Sequence, residues 1–424
     1  MLSLKTNFTW TLAGNLVYSG CQWGMLMALA KLGSPQLVGQ FALGLAVTAP
    51  VIMLSNLQLR GVLATDAKEE HAFGEYLALR LVTTGLALLT VAGLVVTAGY
   101  HRQTALVILA VGLAKGFESV SDITYGFLQH HQRMDRIARS MILRGVAAVG
   151  AMWVGVYLTG SVLVGCLGVA AGWAAVLGTY DLGVARSRRR SSARWPLVGV
   201  FGQLQWKWTR LYALTVLAAP LGVVMMLISL NVNVPRYLLH YYSGETDLGI
   251  FAAVAYVMVA GTTVVNALGQ AASPRLAQHY ACGDVAEFWR LMRKLLGIGA
   301  VLGAAGVLVA ISFGRQILST FFRPEYAAAS DVFVWVMLAA AVSYPASFLG
   351  YGLTAARRFK VQAPLIAIVT AVTAASCVVF VPRYGLIGAA SATVVGAVVQ
   401  LIGSALILRH ATRAGAMTWK AQSA

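Results

Sequence analysis

Acidic side chains are almost missing from this sequence: 14 of 424 residues are Asp or Glu, against 32 Lys and Arg. Charged residues make up 11% of the chain, whereas a soluble domain carries about 25%. So little charge cannot solvate a globular surface of this size, and burial in a bilayer is the simple explanation. Cysteine is scarce too. Cys21, Cys166, Cys282 and Cys377 lie far apart and form no CxxC, which argues against a disulfide framework or a zinc knuckle. Three fall in apolar spans and Cys282 in a cytoplasmic loop, and all four read as small buried residues. No HxxxH occurs, and His130-His131 lie beside Arg133 and Asp135 without a Cys partner, so no metal site is expected. No GxxxxGK[ST] occurs, so no ATPase is encoded and no cofactor is expected.

What the chain does have is apolar residues, 59% of the total, in runs that recur from end to end. A membrane span needs about 20 such residues. Spans are expected near 8–30, 37–59, 77–99, 104–127, 141–159 and 161–180, then 211–230, 248–271, 295–313, 330–353, 363–381 and 385–408. The first run is long enough to cross and lacks the short core and small-residue site of a cleaved signal. The expected fold class is therefore an all-α polytopic membrane protein of about twelve transmembrane helices.

The net charge of +18 would suggest nucleic acid in a soluble protein. Here the basic residues sit in short loops, with no soluble fold to present them, so nucleic acid is not an expected partner. With a cytoplasmic N-terminus, 23 Lys and Arg fall on the cytoplasmic side and 6 on the outer side. The outer six are Lys31, Arg102, Arg236, Arg315, Arg323 and Arg383. Arg80, Lys115 and Arg144 lie within spans. This asymmetry supports both the span count and an orientation with both termini in the cytoplasm.

The expected organisation is an N-terminal six-helix lobe over 1–180, a basic cytoplasmic linker over 181–210, a C-terminal six-helix lobe over 211–409 and a cytoplasmic tail over 410–424. The linker carries Arg186, Arg188, Arg189 and Arg190, then Trp195, Trp206 and Trp208 among Lys207 and Arg210. It reads as a plain positive-inside linker or as an interfacial helix. The halves share a pattern. Gly39, Phe41, Ala42 and Asn56 match Gly249, Phe251, Ala252 and Asn266 at an offset of 210, and Tyr125-Gly126 matches Tyr351-Gly352 at 226. A parallel repeat of this kind is typical of transporters, which hold substrate between their repeats.

Charges within spans point to a site. Lys115, Glu118 and Asp122 fall within about 60° of one another on a helix. Each costs roughly 2.5–3.5 kcal/mol at mid-bilayer, so the stripe cannot face lipid. It lines a watery cavity, contacting a cargo or a coupling ion, or it forms a buried ion pair that orients helices. Arg60, Arg80 and Arg144 lie near cytoplasmic ends, where guanidinium forks would recruit an anionic group or snorkel to headgroups. Asn15, Tyr18 and Gln22 share a face of the first span and suit contacts to a polar cargo or bonds between helices. Asn56 and Asn266 are expected to cap or to bond between helices.

LGSPQLVGQFALGLAV after the first span, NVPRYLLHYYSGETDLGIFAAVAYV followed by NALGQAASPRLAQ around spans seven and eight, and YGLIGAASATVVGAVVQ in the last span resemble one family. It is the lipid-linked O-antigen and exopolysaccharide flippases of the multidrug/oligosaccharidyl-lipid/polysaccharide exporter superfamily. The resemblance covers most of the chain. It implies two six-helix lobes around a central cavity in the bacterial inner membrane. It implies alternating access that flips an undecaprenyl-pyrophosphate-linked oligosaccharide to the outer leaflet, with Arg60, Arg80 and Arg144 recruiting the pyrophosphate, with Asn15, Tyr18, Gln22 and the stripe Lys115, Glu118 and Asp122 placed to contact sugar, and with lipids and polysaccharide polymerases as partners. Where the superfamily often carries an acidic–basic pair before the outer loop of span seven, this chain reads Asn233-Val234-Pro235-Arg236, leaving Arg236 to meet an anion on the release side. A cation-coupled drug exporter on the same fold is the alternative. A membrane enzyme is disfavoured, because the longest expected outer loop, 231–247, offers only Arg236, His240, Glu245 and Asp247.

Overall fold

A computed structural model describes residues 4–66, 70–183, 204–356 and 358–423, and every regular element among them is helical. The elements are α1 (Leu4–Leu32), α2 (Pro35–Asn56), α3 (Leu59–Thr65), α4 (Phe73–Thr97), α5 (Arg102–His130), α6 (Met134–Thr159) and α7 (Val162–Val176), the last continued by a π-helical turn, Leu177–Asp181. Then come α8 (Trp208–Ala281), α9 (Val285–Phe321), a 3-10 turn at Pro324–Ala329, α10 (Ser330–Ala355) and α11 (Phe359–Ser423). Among the described residues nine helices are long and apolar enough to cross a membrane. Two of these, α8 and α11, are each broken once, at Gly244 (φ 84°) and Gly385 (φ 51°). With α1, a further helix of spanning length, this accounts for twelve crossings.

Local chemistry sets the ends. Ser34 caps α2 by accepting from the Leu37 N–H at 3.4 Å, with Pro35 in the first turn, where its missing N–H costs nothing. Asp284 caps α9 by accepting from the Glu287 N–H at 3.0 Å. Large apolar side chains such as Leu89, Val96 and Val301 are exposed, as they must be on faces that meet lipid.

The chain forms two compact units, Met1–Ser229 and Leu230–Ala424. In the first, α5 is the centre: it packs against α2, α3, α4 and α7, while α1 packs on α6 and α6 on α7. The start of α8 belongs to this unit. Leu211, Leu214 and Ala218 share one buried cluster with Leu57, Leu59, Leu63, Tyr76, Leu77 and Phe127. In the second unit α10 packs between α9 and α11. Most of the basic linker expected over 181–210, including Arg186 to Trp195, lies outside the described residues. The outer loop expected over 231–247 is corrected: α8 runs through it and turns at Gly244, so Arg236 and His240 sit on helix. Glycine adopts that left-handed turn without the Cβ clash that any other residue would meet, and the reversal therefore needs no long loop.

Candidate functional site

The charges of α5 meet partners from four other helices of the first unit. Asp122 accepts from two arginines. Arg60 Nη1, from α3, lies 3.2 Å from Oδ1, and Arg80 Nη2, from α4, lies 3.4 Å from Oδ2. Arg80 is wholly buried, and its other nitrogen donates to Asn56 Oδ1 at the end of α2. Arg60 is 35% exposed and donates from Nε to Gln129 Oε1 at 3.2 Å.

One turn earlier the arrangement recurs. Glu118 accepts from Lys115 Nζ on Oε2 at 2.7 Å, and Arg144 Nη2, from α6, pairs with Oε1 by charge at 3.2 Å. Arg144 is buried and Lys115 partly exposed. Each carboxylate is thus gripped by one buried arginine and one accessible cation. Tyr18 on α1 adds a hydroxyl donor to Glu118 Oε1 at 2.7 Å.

Tyr125 joins the two clusters. The guanidinium carbons of Arg60 and Arg144 lie 5.6 and 6.0 Å from its ring centroid. Its hydroxyl accepts from Arg144 Nη1 at 3.2 Å and shares a 2.6 Å hydrogen bond with Ser140, which in turn donates to the buried Asp181. Trp173 on α7 closes the far side, 4.6 Å from the Arg144 guanidinium and 5.4 Å from Lys115 Nζ. Such cation–π contacts hold a charge without neutralising it.

Four cations and two carboxylates pair here in two adjoining clusters among membrane-spanning helices, an excess of two positive charges. Asp181 lies behind Ser140 and pairs directly with no cation among the described residues; counting it as ionised leaves an excess of one. α10, the repeat-related helix of the second unit, has Ala341, Tyr344 and Phe348 where the 226-residue offset would put Lys115, Glu118 and Asp122. The charged site therefore belongs to one half of the repeat.

Glycine lets the backbones close. A Cβ on Gly126 of α5 would stand 3.1 Å from Arg60 Cα and from Arg60 O, so this glycine permits the approach of α3 that brings Arg60 to Asp122. Gly145 of α6 does the same for α1, where a Cβ would meet the Cys21 side chain at 3.0 Å beside Tyr18.

The residues read from the sequence are thus partly assembled. Lys115, Glu118, Asp122, Arg60, Arg80, Arg144 and Tyr18 form one network. Gln22 lies beside it, lining a cleft of about 20 Å³, the size of a single water, with Phe41, Lys115, Cys166 and Trp173. Asn15 is exposed and outside the network. Arg236 lies in the other unit and donates to the buried Asn233 Oδ1 at 2.9 Å, so a neutral amide holds it. Asn56 and Asn266 both bond between helices, to Arg80 and to the Tyr351 hydroxyl. Tyr125, Ser140, Trp173 and Asp181 were not read as site residues. Only Tyr125 carried a signal, through its repeat partner. Among the described residues no three metal-ligating side chains converge.

A wider recess of about 480 Å³ opens where α3 and α5 end and α4 begins, lined by Asp66, Glu70, His71, His130, His131 and Arg210 among others. Beside it the buried Glu75 receives His71 Nδ1 at 3.1 Å and Arg210 Nη1 at 3.5 Å. Asp66 accepts from the N–H groups of Glu70 and His71 and from the Tyr76 hydroxyl. Partial burial pushes its carboxyl up, but these donors outweigh it and hold the group below the usual carboxylate range.

Known proteins share this architecture. The chain is 26% identical over 402 residues to the capsular polysaccharide biosynthesis protein CapF of Staphylococcus aureus, covering 93% of this chain and 97% of that one. An inward-facing multidrug resistance MATE family transporter of the MOP superfamily superposes with a TM-score of 0.72 at 14% identity, over 96% of this chain and 99% of that one. The lipid II flippase MurJ, inward closed, gives 0.71 at 11% identity, over 97% and 90%. These two likenesses show the fold, that of an all-helical, multi-pass membrane protein. The profile of the family described as "Polysaccharide biosynthesis protein" matches residues 4–279, well over half the chain. The chain belongs to the polysaccharide biosynthesis protein family.

Proposed function

We propose that this protein is a flippase that carries an undecaprenyl-pyrophosphate-linked oligosaccharide from the inner to the outer leaflet of the bacterial cytoplasmic membrane, for surface polysaccharide synthesis. The observation that carries the reading is the cation excess around Tyr125. A pyrophosphate diester brings two negative charges, and Arg60 and Lys115 are the partly exposed cations of the two clusters. Guanidinium groups bind phosphate oxygens in bidentate fashion. The polyprenyl tail would stay in lipid while the glycan meets polar groups such as Tyr18, Gln22 and Asn15. Family membership and the likeness to a lipid II flippase agree with such a cargo.

In this reading both termini are cytoplasmic, as the loop charges favour. The site opens by alternating access, first to the cytoplasmic leaflet and then to the outer one, with Arg236 on the release side. The protein catalyses no covalent step, and its partners are membrane lipids and the polymerase that consumes the flipped unit. Coupling to a cation gradient would run through the same carboxylates. Drug export is less well supported, because a cationic drug would be repelled by this site.

The test is reconstitution in proteoliposomes with a fluorescent undecaprenyl-pyrophosphate disaccharide. Protein-dependent movement between leaflets is expected, at least tenfold reduced in Arg60→Ala. Absence of movement, with export of a cationic dye instead, would replace this reading with the exporter.

A further inference from the structure

Resting on that reading, we propose that Asp122 is an internal stand-in for the substrate phosphate. It occupies Arg60 while the site is empty and releases it when the lipid-linked pyrophosphate arrives. Three observations carry this.

The first is the asymmetry of the two arginines. Each grips its own carboxylate oxygen, but Arg80 is wholly buried and pinned by Asn56, whereas Arg60 is 35% exposed. Arg60 can leave without stranding Asp122, because Arg80 remains as its counter-ion. Removing the only partner of a buried charge is costly; removing one of two is not.

The second is what else restrains Arg60. Its remaining hydrogen bond is to the neutral side-chain amide of Gln129, and its guanidinium lies against the Tyr125 ring. Neither neutralises it. A cation so held exchanges one anion for another at little net change in charge pairing. The exchange makes binding reversible: departing phosphate is replaced by Asp122 rather than by an unpaired guanidinium. A carrier must bind its cargo firmly enough to load and weakly enough to release.

The third is repetition. Glu118 stands one turn from Asp122 on α5 and has the same company, the buried Arg144 and the accessible Lys115. Lys115, too, can leave without stranding its carboxylate. An ion pair present only to orient helices has no need of a second, exposed cation on each acid.

The experiment measures binding of undecaprenyl pyrophosphate, and of undecaprenyl monophosphate for comparison, to purified protein in detergent by native mass spectrometry. Translocation is measured in proteoliposomes. Asp122→Asn frees Arg60 and is expected to bind the pyrophosphate about tenfold more tightly, to gain less for the monophosphate, and to translocate more slowly because release is impeded. Adding Arg60→Ala abolishes the gain. Gln129→Leu loosens Arg60 without touching the carboxylate and is expected to tighten binding about threefold. It carries the test if Asp122→Asn does not fold. Unchanged or weaker pyrophosphate binding in a folded Asp122→Asn, or in Gln129→Leu if that is the only folded variant, overturns the inference. Failure of the wild type to bind undecaprenyl pyrophosphate would instead overturn the function proposed above.

Discussion

Tyr18 on α1 and Glu118 on α5 meet through a 2.7 Å hydrogen bond, although 100 residues separate them. Arg144 from α6 reaches the same carboxylate oxygen, so three helices converge on one atom. Glu118→Gln would leave the buried Arg144 without a counter-ion. The expected loss is about 3–5 kcal/mol, the usual result of breaking a buried pair from one side. Tyr18→Phe removes one donor and should cost about 1 kcal/mol. Thermal unfolding in detergent measures both. A Glu118→Gln protein as stable as the wild type would mean that Glu118 is not the counter-ion of Arg144.

Arg60 and Arg80 share Asp122 but should fail differently when replaced. Arg80→Leu leaves Asn56 and one oxygen of Asp122 without their donor in a buried place. A loss of about 3–5 kcal/mol is expected, seen as protein missing from the membrane fraction. Arg60→Ala removes a partly exposed group and should cost no more than about 1 kcal/mol. Surface polysaccharide per molecule of protein should nevertheless fall at least tenfold. If Arg60→Ala lowers protein level and polymer in equal proportion, Arg60 is structural.

Gly126→Val tests whether helix approach sets the site. The added Cβ would stand 3.1 Å from two backbone atoms of Arg60, which cannot rotate away as a side-chain tip can. Overpacking of this kind costs typically 1–3 kcal/mol. α3 should move outward and draw Arg60 from Asp122, so that transport falls more than stability does. Gly126→Ala should show the same ordering with smaller effects. Normal transport in Gly126→Val would show that Arg60 reaches its site without this close contact.

The stripe on α5 was legible because helical spacing alone puts residues 115, 118 and 122 on one face, and charge in a span demands a partner. Which partner was not legible. Arg60, Arg80 and Arg144 stood out as candidates for a phosphate, yet no local pattern says that two of them would meet Asp122 and one Glu118. That depends on α3, α4 and α6 all packing on or near α5, a consequence of close helix approach at positions such as Gly126. Asp181 was harder still: it sits at the end of a span, on a π-helical turn, and reaches Tyr125 through the hydroxyl of Ser140. The helix breaks followed the same rule. Gly244 and Gly385 end helices by their backbone conformation, whereas hydropathy had placed a long loop at 231–247.

Asp66 gives a pH-dependent prediction outside the spans. Its carboxylate accepts from two backbone N–H groups and the Tyr76 hydroxyl, which ties the end of α3 to the start of α4. Because these donors favour the charged form, the folded pKa lies below the unfolded value of about 3.9. A depressed carboxylate contributes stability above the unfolded pKa, and that contribution disappears as pH falls through the folded one. Asp66→Asn should therefore lower the unfolding temperature at pH 7. Three neutral donors on a partly exposed carboxylate set the effect at roughly 1 kcal/mol, or about 2–4 °C for a unit of this size. The gap between variant and wild type should shrink below pH 4 and close as the wild-type carboxyl protonates. Unfolding curves at pH 7, 5, 4 and 3 measure it, and a gap of constant size across that series would show that Asp66 holds the two helix ends by shape rather than by charge.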